Sequence, residues 1–407
     1  MNSKLIATTL LSATAATVLF YPHLKTLGAV TPPIDPVVTP IILPIIEQPI
    51  VRERPIVEVV FVLDTTGSMG ELIQAAKEKI WSIAATMAAA QPTPDIRVGL
   101  VAYRDRGDDY VTRVVDLSAD LDSMYATLMD FSADGGGDGP EDVNKALYDA
   151  VNNISWSQDP DAYQVVFLVG DAPPHMDYQG EAQYPEILAH ASKRGIVVNT
   201  IQVGTMAQTT PAWKRMASLS QGRYFQVEQA GSAVAIATPF DENIARLSAQ
   251  LDDTRLYYGD KAAKEKASRK VAATEKLHAD SSVAALARRG AFNVSAAGRN
   301  NLLGENELID AVTSGRVDLD DIENDALPES MRAMAPAAQR ALIVETAGKR
   351  ARLREEIVEL SKKRDGYLNS EVAAAGDVEE SLDYKIYAAV KAQAKEKGLT
   401  LEAGPKY

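Results

Sequence analysis

The sequence predicts an α/β protein: a doubly wound, mostly parallel sheet flanked by helices over residues 56–254, then a mainly α-helical C-terminal region over 255–407. Three observations carry this expectation. Near-continuous apolar runs, IVEVVFVLD at 56–64 and YQVVFLVGD at 163–171, suit strands buried on both faces. Stretches of helical period alternate with such runs, as a parallel sheet requires. Beyond about Asp252 the strand-like runs stop.

Taken in order, the run at 56–64 is the first strand, and 70–90 follows as a helix with Leu72, Ile73, Ala76, Ile80, Ile83, Ala84 and Met87 on one face. IRVGLVAYRD and YVTRVVDL are the next strands, and 121–131 and 141–154 read as helices. After the strand at 163–171 comes a helix over 181–194, which Gly195 closes from the C′ position. IVVNTIQVG is a strand, 213–219 a helix, GRYFQV a last strand and 241–251 the last helix of this part. Trp81 and Trp213 fall inside helical patterns and are expected in the core or half-buried rather than in a ligand site.

In the C-terminal region, 261–277 is a charged, alanine-rich helix, and 301–325 reads as short helices and turns. The stretch 335–368 is helix-forming, with Leu353, Ile357, Leu360, Arg364 and Tyr367 at three–four spacing. That seam falls short of the sustained heptads of a coiled coil. A final helix starts at the cap Ser381 and ends at Gly398. The expectation here is solvated faces around one packed seam.

The chain has 407 residues, enough for two domains. Its net charge of −14 argues against nonspecific binding to nucleic acid or an anionic membrane surface. Without cysteine there is no disulfide, zinc thiolate or cysteine nucleophile, and the four histidines are scattered. Residues 1–29 read as an export signal or N-terminal membrane anchor: a basic start, then an uncharged apolar run over 5–20. That run is marginal for a spanning helix, which favours a cleaved signal. Residues 30–55 carry seven prolines, a density only an extended spacer tolerates. The expected location is therefore outside the cytoplasmic membrane: periplasmic, cell-surface or membrane-anchored.

Three acidic motifs fall at strand ends or in strand-connecting loops: Asp64-Thr65-Thr66-Gly67-Ser68, ADGGGDGPEDV at 133–143, and Asp171 in FLVGDAPPH. In a doubly wound sheet, Asp64 and Asp171 emerge at the carboxyl edge, where ligands bind. The glycines Gly135 to Gly137 allow a loop to come close to them. Carboxylates and hydroxyls without soft ligands select a hard divalent cation. Singly, each aspartate reads equally as a helix cap, and the conjunction points to a metal.

With those residues in view, the sequence resembles the von Willebrand factor A (VWA) domain family over roughly residues 56–254. The resemblance implies a metal-ion-dependent adhesion site built from Asp64, Thr66 and Ser68 of a first loop and Asp171 of a third. In the second loop Asp138 stands where the family pattern has threonine, and the loop is similar to the subgroup with a GGGDxPE sequence, including Pro140 and Glu141. The resemblance implies a bound divalent cation, Mg²⁺ first and Ca²⁺ or Mn²⁺ otherwise, and cation-dependent contact with a protein partner rather than catalysis. An extra carboxylate at Asp138 would tighten the metal and disfavour an incoming carboxylate from the partner.

Two other functions are open at this level. Asp64-x-Thr66-Gly67-Ser68 also resembles the nucleophile loop of haloacid dehalogenases and P-type ATPases, which would make the chain a Mg²⁺-dependent phosphatase with Asp64 as nucleophile. Against it, Met69-Gly70 replaces the usual apolar pair and GGGDGPED has no role there. Alternatively, the helical C-terminal region carries the interaction and the α/β part only docks it. Arg106-Gly107-Asp108 reads as a turn between strands whose acids border the site, and His175 as a solvent-facing loop residue.

Overall fold

The structure, a computed structural model, describes residues 54–137, 139–228, 236–375, 382–402 and 404. The expected leader at 1–29, nearly all of the spacer at 30–55, Asp138 and the cap Ser381 lie outside the described residues. Among the described residues no helix is long and apolar enough to cross a membrane.

Six strands form one sheet in the order β3-β2-β1-β4-β5-β6. They are β1 (Ile56–Asp64), β2 (Asp95–Tyr103), β3 (Thr112–Ser118), β4 (Tyr163–Gly170), β5 (Val197–Val203) and β6 (Tyr224–Val227). All neighbours pair in parallel except β3, an antiparallel edge strand against β2. Alternate side chains of β1 serve opposite faces: Val59, Phe61 and Leu63 join one apolar core, Val60 and Val62 the other. The apolar runs are continuous because helices cover both faces. On the first face lie α1 (Gly70–Ala88) and α2 (Leu121–Met129); on the second lie α3 (Val143–Asn152), α4 (Tyr184–Lys193) and α5 (Thr209–Leu219). Trp81 and Trp213 are buried in these cores as expected. The order reverses direction at β1, which has β2 on one side and β4 on the other. The carboxyl ends of β1 and β4 therefore bound the crevice where such sheets bind ligands.

The remaining helices are α6 (Asp241–Asp252), α7 (Lys261–Asp280), α8 (Val283–Val294), α9 (Arg299–Leu303), α10 (Leu308–Thr313), α11 (Pro336–Ala375) and α12 (Leu382–Glu396). They form one compact unit with the sheet. α7 packs on α2, α8 on α6 and α1, α11 on α6, and α12 on α1. Ile386, Tyr387 and Val390 of α12 belong to the same apolar core as Phe61 and Trp81. Thr400 pairs with Gln91 through two backbone hydrogen bonds of 2.9 Å. The seam of α11 buries Leu353, Ile357 and Arg364, whereas Tyr367 is exposed.

One buried ion network ties the two parts together. Arg289 of α8 is wholly buried; it donates to Asp122 of α2 at 2.6 and 2.7 Å and to Asp252 of α6 at 2.7 and 3.1 Å. Against the effect of burial, which raises both, the guanidinium holds Asp252 below the usual carboxylate range and Asp122 well below it.

Candidate metal centre

The first loop leaves β1 at Asp64 and turns at once. Thr66 is extended, and Gly67–Met69 form a single 3₁₀ turn that runs into α1. Asp64 Oδ1 accepts from the Thr66 amide at 2.9 Å and from the Thr66 hydroxyl at 2.6 Å. The Ser68 hydroxyl lies 3.4 Å from the Thr66 hydroxyl. Thr65 turns away, and its hydroxyl is within hydrogen-bonding distance of Tyr110 at 2.7 Å. The three residues expected from the first loop are thus gathered in one chain of contacts.

The second loop is drawn onto the first. The Gly67 amide donates to Gly135 O at 3.2 Å and the Asp134 amide to Thr65 O at 3.1 Å. Buried Arg104 clamps both loops, donating to Thr65 O at 3.1 Å and Ser132 O at 2.8 Å. Gly135 and Gly136 have φ of +77° and +79°, open to glycine at little cost. A β carbon on Gly135 would stand 2.4 Å from the Asp108 carboxyl, which accepts the Gly136 amide at 3.0 Å. This is the work of the RGD stretch: Asp108 holds the second loop, while Arg106 pairs with Asp142 and Glu181 and lies over the Tyr178 ring. Its acids border the site, as expected.

The third loop follows β4. Asp171 is buried, and its carbonyl accepts from the Thr209 hydroxyl at 2.7 Å. Trp213 Nε1 donates to Ala172 O at 3.0 Å, so α5 braces this loop from behind. Gly170 fits because it has no side chain: a β carbon there would lie 2.4 Å from the Tyr103 hydroxyl and 3.0 Å from Asp64 Oδ2. That places Asp64 against the strand end from which Asp171 emerges. The second and third loops are also bridged directly, the Glu141 amide donating to Pro173 O and the His175 amide to Glu141 O, each at 3.0 Å.

His175 corrects the expectation of a solvent-facing residue. It is buried, its ring stacks on Tyr178 at 4.2 Å, and Nδ1 lies 2.8 Å from Asp177. Tyr178 in turn donates to Asp105 at 2.7 Å.

Glu141, part of the GGGDxPE loop but not among the expected ligands, is also drawn to the candidate site. It is buried, and a β carbon on Gly136 would lie 3.1 Å from its Oε1 and 3.2 Å from Thr66 Cβ. Neither Asp64 Oδ2 nor Glu141 Oε2 has a hydrogen-bond partner of good geometry among the described residues; the buried Tyr103 hydroxyl and the Asp171 amide are the polar groups that face Asp64. Burial, with the charge of Asp171 adding and the Thr66 hydrogen bonds opposing, pushes Asp64 up to about 7. Burial, then the charges of Asp64, Asp105, Asp108 and Asp171, pushes Glu141 up to about 9. Buried carboxylate oxygens without partners are costly unless a proton or a cation serves them.

Among the described residues no three His, Asp or Glu side chains converge closely enough to enclose a metal by themselves. The donor set that fits a cation is mixed: the carboxylates of Asp64 and Asp171, the hydroxyls of Thr66 and Ser68, and Glu141 beside them. All are hard oxygens suited to Mg²⁺ or Ca²⁺.

Residues 58–239 match the family model described as von Willebrand factor A domain. The alpha-protein kinase vwkA of Dictyostelium discoideum is 29% identical over 127 residues, 31% of this chain and 20% of the kinase. An ariadne-like RING finger protein, R811, of Acanthamoeba polyphaga mimivirus is 28% identical over 125 residues, 30% of this chain and 12% of that protein. The alignments span a fifth or less of either relative. Among solved structures, the SpRpn10 VWA domain gives a TM-score of 0.33 at 12% identity, covering 43% of this chain and 89% of that one. Proximal thread matrix protein 1 from the mussel byssus gives 0.33 at 17%, covering 43% of this chain and 42% of that one.

Proposed function

We propose that this VWA-containing chain is a protein-binding module whose contact face is completed by a divalent cation, Mg²⁺ in the first place, and that it works outside the cytoplasmic membrane. VWA domains are in general interaction modules rather than enzymes. The observation that carries the cation is the pair of buried, unpartnered oxygens, Asp64 Oδ2 and Glu141 Oε2, beside the Thr66 and Ser68 hydroxyls. Asp64, Thr66, Ser68 and Asp171 would hold the ion, with Asp138 in reserve. The ion supplies positive charge that relieves the repulsion among the carboxylates and orders the three loops. The export signal and spacer expected at 1–55 support the extracytoplasmic setting.

Calorimetric titration of the full chain with Mg²⁺ tests this. The wild type takes up the ion and gains thermal stability, because ligands that bind only the native state raise its melting temperature. Asp64→Asn keeps the side-chain shape and the Thr66 contacts but loses the uptake. Equal Mg²⁺ affinity in wild type and variant overturns the assignment. Affinity capture with and without chelator then reports on the partner: identical captured proteins in both conditions remove cation dependence from the function.

A further inference from the structure

The loops that carry this centre are strongly acidic. The described residues of 64–71, 104–111, 132–142 and 171–183 contain eleven acidic side chains against Arg104 and Arg106, in a chain of net charge −14, while Arg113 at the start of β3 lies over the Tyr110 ring. A divalent cation offsets two of those charges. Neither loop arginine shields the surface: Arg104 is buried under the loops, and Arg106 is taken up by Asp142, Glu181 and the Tyr178 ring. Asp109, Asp134 and Asp177 remain exposed at the rim. Two of the large apolar side chains exposed on the molecule, Met176 at 52% and Met206 at 40%, project from loops at this same carboxyl edge. The unpartnered oxygens of Asp64 and Glu141 lie beneath.

We propose that the partner of this face is a basic segment of another protein, with lysines or arginines interleaved with apolar residues. Its cations meet Asp109, Asp134 and Asp177, and its apolar side chains rest on Met176 and Met206. It contributes no carboxylate to the centre. The inference rests on the metal-centre reading and adds the sign of the partner. Rim charges of one sign steer an oppositely charged partner and make its capture sensitive to salt. Flexible methionines adapt to varied apolar side chains.

The probes are two short fluorescent peptides, one alternating lysine with leucine and one alternating glutamate with leucine. Anisotropy is read with the full chain in Mg²⁺ and in chelator, at low and physiological salt. The basic peptide is expected to bind at least about tenfold more tightly, a difference of about 1.4 kcal/mol, and to weaken as salt rises. The triple variant Asp109→Asn, Asp134→Asn, Asp177→Asn weakens the basic peptide severalfold and Mg²⁺ affinity by much less, since none of the three is a proposed ligand. A control that neutralises Glu265, Glu275 and Asp280 on exposed parts of α7 leaves peptide binding unchanged. Met176→Ser with Met206→Ser also weakens it. Tighter binding of the acidic peptide, or equal losses in the rim variant and the control, overturns the proposal. Absence of Mg²⁺ uptake removes the metal reading whichever peptide binds, and preference for the acidic peptide removes this inference whether or not Mg²⁺ binds.

Discussion

Replacing Arg289 by methionine keeps the volume of the side chain and removes its charge from the centre of the buried network. Five hydrogen bonds go with it: two to Asp122, two to Asp252 and one of 3.1 Å to the Ser248 hydroxyl. Asp252 keeps His278 at 2.9 Å and Arg255 at 3.7 Å, and Asp122 keeps Thr274 and Asn301 at 3.0 and 3.1 Å. Both carboxylates stay buried without their main counter-charge, and breaking a buried pair from one side costs about 3–5 kcal/mol. Urea unfolding of the full chain is the assay. The expected outcome is a loss in that range, with sheet and helical region still unfolding in one transition because they share a core. The triple variant Arg289→Met, Asp122→Asn, Asp252→Asn recovers much of the loss, since removing the whole network also removes the stranded charges. A loss below about 1 kcal/mol for Arg289→Met, the scale of an exposed pair, refutes the reasoning. So does a triple variant as unstable as the single one.

In cation-free buffer, stability should fall as pH rises from about 4, the ordinary carboxyl value, because the folded chain keeps protons on Asp64 and Glu141 that the unfolded chain has released. The raised values of about 7 and about 9 extend that decline to about pH 9, saturating Mg²⁺ flattens it by taking the place of the protons, and a metal-independent urea midpoint across this window contradicts the site. Gly170→Ala puts a β carbon 2.4 Å from the Tyr103 hydroxyl, so Mg²⁺ affinity and stability should both drop, the latter by about 1–3 kcal/mol; wild-type calorimetry would clear the position. Gly290→Ala in α8 gains about 1 kcal/mol of helix propensity but sets a β carbon 3.1 Å from Ser248 Cβ and 3.2 Å from Ile244 Cγ2. A net loss in urea unfolding is expected, and a more stable variant would mean that α6 yields without cost.

The sheet was legible because strands covered on both faces are apolar along nearly their whole length, as 56–64 and 163–170 are apart from Glu58, Gln164 and the terminal Asp64. The placement of Asp64, Thr66, Ser68 and Asp171 at the carboxyl edge was legible because each lies within a few residues of such a strand's end, so sequence position fixes spatial position. Glu141 was not, because next to the cap Asp142 it reads as the first turn of α3. Its burial comes from the bridge to Pro173 and His175, a contact between loops distant in sequence. His175 follows two prolines and reads as a surface turn; the Tyr178 ring and Asp105 bury it. The helix Val283–Val294 contains Gly290 and two arginines, which hide a core element from pattern reading. Gly290 is where α8 approaches α6, and Arg289 is buried because Asp122 and Asp252 face it from other helices. No local pattern marks a charge that is paired only in three dimensions.

The backbone bridge between Glu141 and the stretch from Pro173 to His175 fastens the second and third loops into one plate. Tyr178 stands on that plate, stacked on His175 with its hydroxyl fixed to Asp105. Arg106 closes the series, its guanidinium resting on the Tyr178 ring 3.9 Å from its centre. An unbroken run of contacts thus joins the buried Glu141 to an exposed guanidinium at the surface.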